Sequence, residues 1–378
     1  MDFELTDTQT LIRNTARDFA ERVLRPLASE IDHTERFPVE SIKGLAELGL
    51  LGVNIPAEYG GAEAGVVSYA LAMMEIARGC ASTAVTMAVT NMVAEVIARF
   101  GTPEQRERHV MAITSGEHVA GAFALSEPEA GSDPGAMRTT ARRTDDGWVL
   151  NGEKLWITNG AHAGVHVVWA RTGGPGTKGI STVLVEKGTP GLRIGKPEEK
   201  MGLRASNTVP LTFEECRIPK EALLGEENQG FRVAMMALDG GRIGIASQAI
   251  GIATAALEEA VEYAKQRKTF GKPIADHQAI QWMLADSATE LDAARLLAFR
   301  AATLKEEGKP FTREASMAKL FATEKANQIC DRAVQVHGGN GYVRSFAAER
   351  HLRDVRVTRI YEGTSEIQRM VIARHVLS

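Results

Sequence analysis

Ala249, Ile252, Ala253, Ala256, Leu257, Ala260, Val261 and Ala264 recur at offsets 0, 3, 4, 7, 8, 11, 12 and 15. Only the 3.6-residue period of an α-helix brings all of these onto one face. A stripe this long has to be buried against other helices, and alanine lets them approach closely. The segments 273–305 and 312–336 read as further long helices, punctuated by Gly308-Lys309-Pro310. Long helices with short connections predict an antiparallel bundle.

The N-terminal segment 6–115 also has a helical period. Ala72, Ile76 and Gly79 share a face, 84–99 is a second run, and Thr102-Pro103-Glu104 has the form of a helix start with Pro in the first turn. Between Gly121 and about Gly225 the texture changes. Short β-branched runs at 165–170, 182–186 and 209–213 are bounded by Gly and Pro. Trp148-Val149-Leu150, Asn151-Gly152 and the run from Lys154 to Thr158 predict a hairpin, because Asn-Gly suits a type I′ turn. The expected fold is α+β. It has an N-terminal α-helical domain (1–119), a small middle β-domain (120–226) and a C-terminal antiparallel four-helix bundle with a terminal loop (227–378).

Composition removes several classes of function. A net charge of −4 over 378 residues leaves no electrostatic footprint for nucleic acid. No apolar run is expected to approach the length of a membrane span. Met1-Asp2-Phe3-Glu4 is acidic and polar, without the features of a leader, so the expected location is cytoplasmic or, for a processed form, organellar. Cys80, Cys216 and Cys330 are isolated and odd in number, which suggests neither a disulfide framework nor a metal site. Gly339-Asn340-Gly341 begins a dinucleotide-binding pattern, but Arg344 stands where the third glycine belongs. Walker, H-E-x-x-H and G-x-S-x-G motifs are absent, so NTPase, zinc-protease and hydrolase readings lack their parts.

The segment Tyr361-Glu362-Gly363-Thr364-Ser365-Glu366-Ile367-Gln368 carries the chemistry. Thr364 and Ser365 are the residue types that cap a helix start, and Gly363 frees the backbone before it. Ile367, Met370 and Val371 mark an apolar face on the helix that follows. Glu362 is thereby projected from a corner beside the positive end of a helix, a position suited to a general base in a dry pocket.

This segment resembles the signature of the acyl-CoA dehydrogenase family. Further blocks match in order: Leu125-Ser126-Glu127-Pro128-Glu129-Ala130-Gly131-Ser132-Asp133, Lys154-Leu155-Trp156-Ile157-Thr158-Asn159-Gly160, Arg267-Lys268-Thr269-Phe270-Gly271, and Gln335-Val336-His337-Gly338-Gly339-Asn340-Gly341-Tyr342. Cys80-Ala81-Ser82-Thr83 and Asp239-Gly240-Gly241-Arg242-Ile243-Gly244-Ile245-Ala246 are most similar to the short-chain and short/branched-chain members.

The resemblance implies an FAD enzyme that makes a trans-2-enoyl-CoA from an acyl-CoA and hands electrons to an electron-transfer flavoprotein. An oxidase on the same fold, with oxygen as acceptor, is the alternative enzyme. A helical flavin-binding scaffold is the alternative outside enzymes, and the presence of Glu362 speaks against it. Glu362 is the implied base, with burial raising its pKa. Some members carry the base at the position of Gly241, which cannot serve here. Phe123, Leu125, Ser126, Gly131, Ser132, Trp156, Ile157 and Thr158 are implied in FAD binding, as are Thr364 and Glu366. Arg267, Phe270, Gln278, Gln335, Gly338 and Gly339 would reach an FAD held mainly by a neighbouring subunit of a homotetramer, a dimer of dimers. Ser132, Asp239, Arg242, Tyr361 and Gly363 are implied in substrate binding.

Other readings stand beside these: Arg242 in a structural ion pair, Trp156 as a half-buried strand aromatic, Arg267 as a charge on a helix end, and His337 as a packed loop residue. The bulky Val85, Met87 and Val89 after Cys80 are expected to favour a short acyl chain. No arginine stands at Ala81 or Ser82 to receive a dicarboxylate.

Overall fold

The computed structural model describes residues 4–377; the reading of Met1–Phe3 falls outside them. The N-terminal part is helical: α1 (Asp7–Phe19), α2 (Arg25–Thr34), α3 (Val39–Glu47), α4 (Val66–Gly79), α5 (Ala81–Phe100) and the short α6 (Pro103–Gln105) and α7 (Met111–Thr114). Thr6 and Thr102 each form a capping box with a glutamine three residues on. Only Cys80, in extended conformation, separates α4 from α5. By length and composition α5 could cross a membrane, which corrects the expectation that no run comes near that length. Its surface is instead buried almost all round in the protein core. Asn91 anchors it there, donating from Nδ2 to Leu50 O at 2.9 Å and accepting at Oδ1 from Val53 N at 3.1 Å.

The middle segment forms one sheet from β1 (Ala120–Ala124), β2 (Thr140–Arg143), β3 (Gly147–Thr158), β4 (Ala163–Arg171), β5 (Ile180–Glu186), β6 (Leu192–Ile194), β7 (Thr208–Pro219) and β8 (Leu223–Leu224). The strand order is β6-β7-β3-β2-β4-β5-β8, with β1 parallel beside β4. The predicted hairpin at Asn151-Gly152 does not form. β3 runs through both residues, and the turn from β2 lies at 144–147, where Thr144 N donates to Gly147 O at 2.8 Å. The Asn151 side chain is used across the ladder: Nδ2 donates to Glu215 Oε1 at 2.8 Å, and Oδ1 accepts from Glu215 N at 2.9 Å. Gly152, at φ +142°, marks a register shift against β7 instead of a turn.

Then comes α8 (Gly230–Gln266), followed by a two-residue hairpin of β9 (Lys268–Thr269) and β10 (Lys272–Pro273). α9 (Gln278–Glu306), α10 (Thr312–His337), α11 (Ala348–Arg356) and α12 (Ser365–Leu377) complete the chain. The alanines of the predicted stripe are buried, packed mainly against α10 and α4. Trp169 on β4 is wholly buried and donates from Nε1 to Gly230 O at 2.7 Å, which fixes the start of α8 on the sheet. The predicted apolar face of α12 is not a buried one, since Met370 is 59% exposed. That helix packs inward through Ser365 and Gln368, because polar bonds to α10 and to the preceding loop hold it.

Candidate active site

Backbone conformation sets the position of Glu362. Glu362 and Gly363 both lie in the left-handed region, at φ +53° and +86°. Gly363 adopts this without strain, whereas Glu362 does so at a cost of about 1–3 kcal/mol. Several bonds hold the corner. Thr364 Oγ1 accepts from Ile367 N at 3.3 Å and caps α12 as expected; Ser365 Oγ does not cap, but donates to Glu324 Oε1 at 2.6 Å. Lys319 Nζ donates to Gly363 O at 2.7 Å. Gln368 Nε2 donates to Glu362 O at 3.1 Å and to Gly363 O at 3.0 Å. Tyr361 Oη donates to Gln248 Oε1 on α8, and Gln248 Nε2 donates in turn to Ala81 O at 3.0 Å. The loop is thereby tied to α8, α10 and the start of α5. No hydrogen bond from the Glu362 amide forms within the described residues.

The carboxylate faces α8. Glu362 Oε2 is buried and has no hydrogen-bond partner among the described residues. Burial raises the Glu362 pKa to about 7, against the pull of Arg242 and then Lys319. Three glycines make the room. A Cβ on Gly241 would stand 2.7 Å from Glu362 Oε2 and 3.2 Å from Met92 Sδ. On Gly240 it would stand 2.9 Å from Lys305 Nζ, and on Gly244 2.7 Å from Tyr69 Oη. Each glycine inside a helix costs about 0.5–1 kcal/mol relative to alanine, so this helix is opened for the site rather than for stability. Arg242 is buried and bonded to Asp239 Oδ1 at 2.5 Å and Ser316 Oγ at 3.2 Å. It therefore forms the structural ion pair while also facing Glu362.

On the sheet, Trp156 sits at a register shift with φ +62° and is 60% exposed. It is not a half-buried strand aromatic. The bulge turns the indole outward, a strained conformation for so bulky a residue. Ile157 beneath it is buried, and Thr158 is half-buried. Leu155 N donates to Ser126 O at 2.9 Å, joining this strand to the Leu125–Ser126 loop. A buried ion pair reinforces the joint: Lys154 Nζ donates to Glu127 Oε1 at 2.8 Å and to Leu125 O at 3.0 Å. Phe123 packs on Trp169 with ring centroids 4.2 Å apart, while Gly131 and Ser132 are exposed. Asn159 Nδ2 donates to Gly121 O at 3.0 Å and Thr86 O at 3.4 Å, which locks the end of β3 to α5.

A third group is solvent-exposed. Phe270 and Gly271, at φ +51° and +83°, form a type I′ turn between β9 and β10. Phe270 is 96% exposed. Arg267, Gln278, Gln335, Gly338 and Gly339 are exposed too, as is Glu366 on α12. Among the described residues none of these bonds to Glu362, Trp156 or Ser126.

Residues 6–117 match the acyl-CoA dehydrogenase N-terminal domain, 122–216 its middle domain and 228–377 its C-terminal domain. The chain belongs to the acyl-CoA dehydrogenase family. The mitochondrial short-chain specific acyl-CoA dehydrogenase of Bos taurus is 54% identical over 376 residues, spanning 99% of this chain and 91% of that protein. The structure of butyryl-CoA dehydrogenase from Megasphaera elsdenii is 44% identical, with a TM-score of 0.98 over 100% of both chains. A chain in the structure of the electron transferring flavoprotein of Acidaminococcus fermentans is 46% identical, with a TM-score of 0.98 over 100% of both chains.

This acyl-CoA dehydrogenase uses FAD. Its residues fit the cofactor, because Trp156, held outward in a strained bulge beside Thr158, offers an exposed aromatic face on which a planar ring would pack. The sequence reading missed Tyr69, Met92, Gln248, Lys319 and Gln368. Lys319 left a signal: it interrupts the buried face formed by Ala315, Ala318, Ala322 and Ala326. The expected acyl-pocket face needs correction as well. Val85 and Val89 share a side of α5, but Met87, two residues from each, points elsewhere. Met92 continues the face of Val85 and Val89 and brings it to Gly241 and Glu362.

Proposed function

We propose that this dehydrogenase oxidises short-chain acyl-CoA thioesters and that Glu362 takes the α-proton. One observation carries the reading. Glu362 Oε2 is buried, unpartnered and held at about 7, so it has affinity for a proton and no other donor to satisfy it. The free Glu362 amide would donate to the thioester oxygen as negative charge develops there. When bound, FAD supplies the acceptor for the β-hydrogen, and the product is a trans-2-enoyl-CoA.

Trp156, Ile157 and Thr158, with Phe123, Leu125, Ser126, Gly131 and Ser132, would hold the flavin, and Thr364 and Glu366 would add contacts from α12. Tyr361, Gly363, Ser132, Asp239 and Arg242 would orient the thioester and its pantetheine arm. Arg267, Phe270, Gln278, Gln335, Gly338 and Gly339 would complete the FAD site of a neighbouring subunit. Their exposure, with that of Met370 and Leu377, supports assembly as a homotetramer. An electron-transfer flavoprotein is the proposed acceptor, in keeping with the Acidaminococcus relative.

Anaerobic addition of butyryl-CoA to the FAD-loaded enzyme should bleach its flavin band. A band that stays unchanged with every acyl-CoA from butyryl to dodecanoyl would overturn the reading.

A further inference from the structure

Lys319 is wholly buried on α10, in the alanine face that packs toward α8. A buried ammonium needs acceptors or a counter-charge. Among the described residues its one hydrogen bond, at 2.7 Å, goes to the carbonyl of Gly363, next to the base. It makes no hydrogen bond to the Glu362 carboxylate. Arg242, the other buried cation of the site, is likewise committed elsewhere, to Asp239 and Ser316. Two positive charges thus stand near one buried carboxylate without bonding to Oε2, which stays open to a proton.

We propose that Lys319 is a positioning residue for the base: its hydrogen bond fixes the left-handed Glu362–Gly363 corner, and its charge keeps the unpartnered Glu362 carboxylate ionisable. The inference rests on Glu362 being the base. A donated bond to Glu362 would stabilise its ionised form and occupy its lone pair; a nearby cation bonded to Gly363 stabilises the charge and leaves the lone pair free.

The charged and titratable surroundings are accounted for on every side. α8 presents Arg242 with Asp239; α4 and α5 present Tyr69 and Glu95; the loop presents Tyr361; α10 presents Lys319; and α12 presents Glu366, an exposed carboxylate. Glu95 is neutralised by Lys305 at 2.8 Å. Glu324, also on α10, is held by Arg359 at 2.9 Å. Both tyrosines are raised by burial and stay neutral. Asp239 is spent on Arg242, which leaves Lys319 as the cation whose removal changes the field at Glu362 without breaking another ion pair.

Lys319→Gln and Lys319→Met separate the two roles, since Gln keeps a donor for Gly363 O and neither keeps the charge. The pH profile of flavin reduction by butyryl-CoA in the FAD-loaded enzyme is the readout. The acid limb should move to higher pH by about one unit in both variants. The high-pH plateau should fall at least about tenfold in the Met variant and much less in the Gln variant. A limb in Lys319→Gln that overlays the parent's would overturn the proposal, whether or not Lys319→Met folds. Glu362→Gln in the same series separates the failures. If that variant is inert while the Lys319→Gln limb stays put, only the role of Lys319 is wrong; if it bleaches at the parent rate, the base itself is misassigned.

Discussion

A methyl group on Gly241 would stand 2.7 Å from Oε2 of Glu362. Residues 121 positions apart along the chain thus share one small volume, and only one of them has a side chain to put there. That volume also holds Met92 Sδ, 3.2 Å from the same point. Gly241→Ala should therefore uncouple stability from activity. Alanine is the better helix former by about 0.5–1 kcal/mol, so the melting temperature should hold or rise. Flavin reduction should slow by roughly 10²-fold, because the displaced carboxylate no longer meets the α-carbon in line. A melt and a stopped-flow trace on the same preparation would check both.

Glu362→Gln keeps the shape of the corner and removes the base. The variant should retain FAD, yet its reduction by substrate should slow by roughly 10²–10⁴. A preparation that bleached at the parent rate would refute the assignment.

The same substitution should alter stability with pH. Burial raises the Glu362 pKa from 4.5 to about 7, so the folded protein holds that proton more tightly than the unfolded chain does. The resulting stabilisation is full below pH about 4.5 and is lost as pH rises through about 7. Glutamine never ionises. Glu362→Gln should then be more stable than the parent above pH about 7, by at most about 3 kcal/mol, with the gap closing toward pH about 4.5. Thermal melts at several pH values would measure it.

Phe270 occupies the first position of a type I′ turn, where asparagine is the favoured residue. Phe270→Asn should leave the melting temperature of the FAD-free protein unchanged or slightly higher. If the ring serves a neighbour's cofactor, FAD affinity should fall by about tenfold, the worth of one aromatic contact. Titrating FAD into stripped protein, with light scattering for the oligomer, reads both.

Lys154 and Glu127 form a buried pair 2.8 Å apart that joins the Ser126 loop to the strand carrying Trp156. Lys154→Met leaves a buried carboxylate without its cation and should cost about 3–5 kcal/mol in a urea melt. Adding Glu127→Gln to the same chain should recover part of that loss.

Val85, Val89 and Met92 share one side of α5, Met92 reaches the base, and bulky side chains there should close the pocket early. Catalytic efficiency should peak at about four to six carbons and fall roughly tenfold per further step once the pocket is filled. Isobutyryl- and 2-methylbutyryl-CoA belong in the same series, since a wide, shallow pocket would take a branch while rejecting length. Efficiency that kept rising to dodecanoyl-CoA would show an open floor.

What the sequence determined by itself is what neighbouring residues decide between them. The alanine stripe at 249–264 specified a buried helix, because a 3.6-residue period is a local property. Thr102 and Thr364 were legible as caps for the same reason, and Gly363 as the relief of a corner that presents Glu362. Tertiary structure decided the rest, because the deciding partner lies far away in the chain. Asn151-Gly152 has the chemistry of a turn, yet pairing with β2 and β7 on both sides kept it in a strand. Trp156 reads as an ordinary strand aromatic until a register shift between β3 and β7 turns it outward. Met87 looks as suited to a pocket wall as Val85 and Val89, and only the packing of α5 against α8 replaces it with Met92. Lys319 reaches Gly363 across 44 positions. No local pattern announces that meeting, since the need for a buried cation arises only after the fold has taken a carboxylate out of water.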